Sequence, residues 1–289
     1  MKKTVFTGVC TALVTPFLDE KVNYPLMKQL LQRQVRSGVK AVVLTGTTGE
    51  CSTLTDQEKL TLFKYAKESV SDSCAIIAGT GTNSTAHTVE LSQAAQEAGA
   101  DALLVVAPYY NKGNAEGIFS HYLAVAHSVS IPIILYNVPS RTGVDIPISV
   151  YKRLSSLPNI AGVKEASNDI TKIAKIRAAC GSNFNIWSGN DDQIVPVMSL
   201  GGSGVISVLS NIFPDETVAM TNAALAGDFD TASALQCQLM PFIEMLFSEV
   251  NPIPVKYAMK HIGFDCGSCR LPLGCLSTEN KSRIDRYFA

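Results

Sequence analysis

Apolar residues along this chain gather into short, continuous, β-branched runs separated by amphipathic stretches, and the two patterns alternate. Runs of the first kind occupy 8–17, 41–50, 75–80, 102–110, 131–139, 160–167, 184–191 and 204–211. Each has the length of a strand, and the lack of polar alternation fits burial on both faces. The intervening stretches carry helix spacing instead. Across 55–71, Leu60, Phe63, Ala66, Lys67 and Val70 recur at helical intervals, with Asp56 and Glu58 early and Lys64 and Lys67 late, as the helix dipole favours. The stretch 85–98 is rich in alanine, the best helix former. Strands that are each followed by a helix predict an α/β protein, a (β/α)8 TIM barrel. The structural alternative is a doubly wound sheet. It usually carries a glycine-rich phosphate turn after its first strand, and Thr15-Pro16-Phe17-Leu18-Asp19 offers none.

Beyond Asn211 the periodicity is wholly helical, at 215–226, 230–250, 252–262 and 278–288. This predicts a C-terminal helical extension, with a catalytic barrel over 1–225 and a helical domain over 226–289.

With 289 residues, 46% of them hydrophobic, the chain can bury a large core. Its 24 basic and 25 acidic residues nearly cancel and form no long block, so neither nucleic acid nor an anionic membrane is the expected partner. A small molecule is. The basic start Met1-Lys2-Lys3 precedes an apolar run, but Thr4, Thr7 and Gly8 interrupt it and no small-residue cleavage site follows, so it reads as mature protein. No other apolar stretch approaches the ~18 residues of a membrane span. The 8 cysteines are scattered through apolar segments, which predicts reduced thiols in the cytoplasm. Cys266-Gly267-Ser268-Cys269 resembles a zinc or redox dyad, yet it lacks a second properly spaced pair and does not open a helix after a strand.

In such barrels the reactive groups sit at the C-terminal ends of the strands. The second run ends in Gly46-Thr47-Thr48-Gly49-Glu50, the fourth in Pro108-Tyr109-Tyr110-Asn111, the fifth in Tyr136 and then Arg141, the sixth in Lys164 and the seventh in Gly189-Asn190-Asp191; the eighth carries Val205-Ile206-Ser207. No histidine and no cluster of carboxylates stands at these ends, so a metal site or a histidine-based triad is poorly supported. An amine, phenols, paired hydroxyls and a guanidinium suit Schiff-base chemistry on a keto acid.

Each residue also has a plainer reading. Lys164 could pair with Glu165 or snorkel, although the next residue on a strand points to the opposite face. Tyr136 could simply pack, and Gly46-Thr47-Thr48-Gly49 could be only a turn. However, glycines permit close approach, and consecutive N–H groups with hydroxyls suit a carboxylate. Arg141 could be a surface arginine, or could hold a second carboxylate through two parallel hydrogen bonds.

Taken together, Gly46-Thr47-Thr48-Gly49-Glu50, Pro108-Tyr109-Tyr110-Asn111-Lys112, Tyr136-Asn137-Val138-Pro139-Ser140-Arg141-Thr142-Gly143 and Gly162-Val163-Lys164-Glu165-Ala166 closely resemble the dihydrodipicolinate synthase family. The resemblance extends to Asn251-Pro252-Ile253-Pro254-Val255-Lys256 and covers essentially the whole chain. It implies that Lys164 forms a Schiff base with pyruvate, whose enamine attacks aspartate semialdehyde in lysine biosynthesis through diaminopimelate. Tyr136, Thr47 and Tyr110 would relay protons, with Tyr110 reaching into a neighbouring subunit's site. Thr48 and adjacent amides would hold the pyruvate carboxylate, with Gly189 and the backbone of Ile206 as further substrate-binding positions, and Arg141 would bind the semialdehyde carboxylate. The resemblance implies no cofactor and a homotetramer built as a dimer of dimers, whose true monomers would be inactive. N-acetylneuraminate lyase and related keto-sugar-acid aldolases share the lysine and tyrosine and form the alternative reading. Lysine-inhibited members carry histidines and an acidic residue where this chain has Asp56, Lys59 and His87, with Asn83 and Tyr109 retained, so feedback inhibition by lysine is expected to be weak or absent.

Overall fold

A computed structural model describes residues 4–70 and 72–289. The basic start 1–3 and Ser71, the last position of the helix predicted over 55–71, lie outside the described residues. Strands β1 (Gly8–Ala12), β2 (Ala41–Leu44), β3 (Ala75–Gly79), β4 (Ala102–Val106), β5 (Ile133–Asn137), β6 (Ile160–Glu165), β7 (Asn185–Ser188) and β8 (Gly204–Ser207) pair in parallel around a closed barrel. Each is followed by a helix: Tyr24–Arg36, Asp56–Val70, Thr85–Glu97, Ala115–Ser128, Ile148–Leu154, Ile170–Cys180, Ile194–Ser199 and Pro214–Leu225 in turn.

The strands are shorter than the apolar runs, because apolar continuity marks burial and does not by itself mark extension. The run predicted over 8–17 ends as a strand at Ala12, and Phe17–Leu18 pairs antiparallel with Lys21–Val22 in a separate hairpin. Its two turn residues, Asp19 and Glu20, both have positive φ, as a tight hairpin turn demands. The run over 41–50 stops at Leu44, where Thr45 adopts a φ of 53° and turns the chain across the barrel mouth. Past Ser207 the last run becomes a single 3₁₀ turn, Leu209–Asn211.

Two apolar layers follow from the strand pleat. Inside the barrel lie Cys10, Ala12, Val43, Ile77, Leu104, Ile134, Tyr136, Trp187 and Ile206, with Phe6 stacked on Trp187 at 4.9 Å between ring centres. Between strands and helices lie Val42, Leu44, Ile76, Leu103, Leu135, Val163 and Ile186 among many others. The barrel closes where β8 meets β1, with Gly8 opposite Gly204. Gly204 has a φ of +141°, and a Cβ there would lie 1.9 Å from the Gly8 carbonyl oxygen, so only glycine brings these strands to pairing distance.

Helices Phe229–Leu246, Ile253–His261 and Thr278–Phe288 follow the barrel. The last is pinned by aromatic contacts, Phe242 to Tyr287 at 4.6 Å and to Phe288 at 5.6 Å between ring centres.

Candidate active site at the barrel mouth

The phase of β6 is set by an irregularity in its pairing with β5. Ile133 pairs with Ile160, but Ile134 pairs with Gly162, so one extra residue is absorbed and Lys164 falls opposite Tyr136. Lys164 therefore faces the barrel interior, between Tyr136 on β5 and Trp187 on β7. Its Nζ stands 4.3 Å from the centre of the Tyr136 ring, and both side chains are buried. The phenol and the amine are thus immediate strand neighbours.

Glu165 points outward, as strand alternation requires. It accepts hydrogen bonds from Asn137 Nδ2 (2.8 Å), Tyr151 OH (3.0 Å) and the Ser167 N–H (3.0 Å), with Lys172 Nζ at 3.9 Å. Burial pushes its carboxyl up, while Lys172 and these donors favour the charged form. The plain reading of Lys164 as the partner of Glu165 therefore fails: that carboxylate serves the helix side of the sheet.

Lys164, Tyr136, Thr47, Thr48, Arg141 and Gly189 all border one cavity of about 470 Å³. Gly189 must be glycine, since a Cβ would come within 2.6 Å of Ala166 Cβ and 3.2 Å of Lys164 Cε. Thr48 is buried and its hydroxyl accepts from Asn251 Nδ2 at 2.9 Å. Arg141 follows the fifth strand closely. It stands on a one-turn helix, Pro139–Thr142, because Pro139 supplies the fixed φ of a first helical residue and Gly143 ends the turn in the left-handed region.

Two expected residues do not border this cavity. Ile206 is sealed inside the barrel with Trp187 and Tyr136, and Val208 takes its place in the wall. Tyr110 is 86% exposed and borders neither main cavity of its own chain.

A second cavity of about 720 Å³ shares Thr47, Tyr136 and Arg141 with the first and extends to Asp56, Lys59, Asn83, His87 and Tyr109. Asp56 bridges Lys59 Nζ (3.0 Å) and His87 Nε2 (2.7 Å).

Sequence reasoning missed two supports of the mouth. Asn251 belongs to a motif quoted for the resemblance, but its bond to Thr48 spans most of the chain and no local pattern announces it. Likewise, Glu50 is buried and receives Lys256 Nζ at 2.8 Å and the Arg270 N–H at 2.9 Å, tying the Gly46–Glu50 turn to the helical extension. A buried glutamate just after a glycine turn and a lysine in an apolar helix were the available signals. The cysteines are free, and Cys266 is buried while Cys269 is partly so.

The class that this fold and mouth define is that of (β/α)8 barrels carrying a buried amine beside a phenol at the end of the sixth strand. Comparison with known proteins narrows it further: the model of the dihydrodipicolinate synthetase family matches residues 5–288. The 4-hydroxy-tetrahydrodipicolinate synthase of Thermoanaerobacter sp. strain X514 is 48% identical over 288 residues, covering 98% of this chain and 97% of that one. Among solved structures, a chloride-inhibited dihydrodipicolinate synthase from Acinetobacter baumannii, complexed with pyruvate, superposes with a TM-score of 0.95. It is 38% identical, with 97% of both chains covered. A monomeric dihydrodipicolinate synthase variant gives 0.96 at 37% identity, covering 98% of this chain and 95% of that one. The chain belongs to the dihydrodipicolinate synthetase family, a family of pyruvate-dependent lyases and synthases, and the names of these relatives do not favour the sialic-acid lyase alternative.

Proposed function

We propose that this enzyme condenses pyruvate with L-aspartate 4-semialdehyde to 4-hydroxy-tetrahydrodipicolinate, with Lys164 as the Schiff-base amine. The supporting observation is the pairing of Tyr136 with Lys164, which sets a phenol beside the amine in a buried mouth.

The Lys164 nitrogen adds to the keto carbon of pyruvate, and loss of water leaves an iminium. A methyl proton departs to give the enamine, whose carbon bonds to the aldehyde carbon while the aldehyde oxygen gains a proton. The amino group of the second substrate then displaces Lys164 from the iminium carbon, closing the ring and freeing the amine. Tyr136 and Thr47 carry the protons, with Tyr110 of a neighbouring copy completing the relay. Thr48, Gly189 and the backbone near Ile206 serve the pyruvate carboxylate, and Arg141 the semialdehyde carboxylate. Two separated anion sites suit an intermediate that bears a carboxylate at either end.

The reading of Tyr110 needs a second copy of the chain, in a tetramer made of two dimers; its 86% exposure supports an outward role. No helix among the described residues is long and apolar enough to cross a membrane, and we place the enzyme in the cytoplasm. We retain 1–225 as the catalytic barrel and 226–289 as the helical domain.

Borohydride reduction in the presence of pyruvate, followed by peptide mass analysis, tests the assignment. A reduced pyruvate adduct on Lys164 is expected. An unmodified Lys164 under turnover conditions would reject the Schiff-base mechanism.

A further inference from the structure

Asp191 opens the 3₁₀ turn that follows β7, two residues beyond Gly189, and it is buried. Its Oδ2 accepts the N–H groups of Val208 and Leu209, both at 2.9 Å, and Gln236 Nε2 binds its carbonyl oxygen at 2.9 Å. Its Oδ1, equally buried, accepts no N–H, and the Ser207 hydroxyl is the side chain placed to favour the carboxylate. Asp191 and Lys164 border the same cavity, in which Gly189 packs against the Lys164 stem.

A buried carboxylate is costly, so one in the wall of the cavity that holds a buried amine calls for a physical reason. The fixed N–H groups spend one oxygen on holding the carboxylate in the cavity wall and leave the other without an N–H partner. Lysine chemistry there generates a cation whose reactivity depends on keeping its charge, because loss of the N–H proton leaves a less electrophilic neutral imine. Once water leaves the carbinolamine, the carbon-bound nitrogen is an iminium, and a charge preset in a dry site stabilises it without reorganisation.

We propose that Asp191 is a positioning residue whose buried carboxylate, in the wall of the cavity that Lys164 borders, supplies the counter-charge for the iminium formed at Lys164. Burial pushes the Asp191 carboxyl up, while Ser207, the Leu209 and Val208 N–H groups and the Lys164 charge favour its ionised form. This assignment rests on Lys164 being the Schiff-base amine.

Asp191→Asn separates charge from scaffold, because the amide oxygen still accepts both N–H groups. The measurement is the rate at which borohydride traps pyruvate on Lys164, read beside the melting temperature, for the native enzyme, Asp191→Asn and Asp191→Ala. The counter-charge predicts that both variants trap on the order of 100-fold more slowly, with only the alanine variant markedly less stable. A purely structural Asp191 predicts native trapping in the asparagine variant, which would overturn the proposal. So would an asparagine variant that fails to fold, since it keeps the scaffold bonds. If the native enzyme itself traps no pyruvate on Lys164, the Schiff-base reading fails first; if it traps and Asp191→Asn traps equally, only the role of Asp191 falls.

Discussion

Replacing Lys256 by methionine tests how the mouth is held. Lys256 and Glu50 are both buried, and the ammonium meets Glu50 Oε1 at 2.8 Å and the Ser268 carbonyl oxygen at 3.1 Å. Methionine fills much of the same volume, so the main loss is charge. Glu50 would keep the Arg270 N–H but lose its ion partner, and a buried carboxylate stranded in this way costs about 3–5 kcal/mol. An unfolding entropy of about 2.1 cal/mol/K per residue over 289 residues amounts to roughly 0.6 kcal/mol/K, so the melting temperature should drop by about 5–8 °C. Differential scanning calorimetry reads this directly. The decisive comparison is the double variant Glu50→Gln with Lys256→Met. Removing both charges leaves no stranded ion, so the pair should be milder than Lys256→Met alone. If Lys256→Met melts within a degree of the native enzyme, or if the double variant loses the sum of the two single losses, the ion pair does not anchor the turn.

Arg141→Ala should lower kcat/KM for the semialdehyde by about 10- to 150-fold, the equivalent of roughly 1.5–3 kcal/mol for a charged hydrogen-bond partner, while pyruvate trapping on Lys164 stays unchanged. Steady-state kinetics with each substrate varied in turn would reveal a loss shared by both, which would count against this division of roles. Arg270 grips both Glu58 oxygens, at 2.6 and 2.9 Å, and these bonds hold that carboxyl down at about 2, below its usual 4.5. A carboxyl lowered by folding adds stability above its unfolded pKa and forfeits it as pH falls through the folded value, so Arg270→Gln should flatten the decline in melting temperature between about pH 4.5 and 2. Equal acid slopes in both proteins would contradict that. Finally, Asp56 is already engaged by Lys59 and His87, and this cluster offers a second ammonium little free anionic character. An activity titration with L-lysine at millimolar concentrations should therefore show little inhibition, and a strong effect would refute the reading.

The barrel was legible because its strands are buried on both faces and so read as unbroken apolar runs, each followed by helix spacing. Where each strand stops was less legible. At Thr45 and Glu20 the chain turns through positive φ in residues that composition does not mark as turn formers. The position of Lys164 at a strand end was readable, but its inward aim depends on the irregular pairing at Ile133–Ile134, a feature of two strands together. Arg141 was found but not its one-turn helix, since four residues are too few to show a period. The partners Asn251 for Thr48 and Lys256 for Glu50 lie more than 200 positions away, and such contacts exist only once the barrel has folded.

The glycine seam between β1 and β8 has a further bearing, on the order in which the ring can assemble. Every other pair of adjacent strands is joined by a single crossover, whereas Gly8 and Gly204 meet only after nearly the whole ring has been threaded between them. Closing a loop on the order of 200 residues costs about 1.7 kcal/mol more than closing one on the order of 30, so this pairing is entropically the least favoured. Growth from neighbour to neighbour around the circle would leave that junction until last. The first strand made would then wait longest for its second partner.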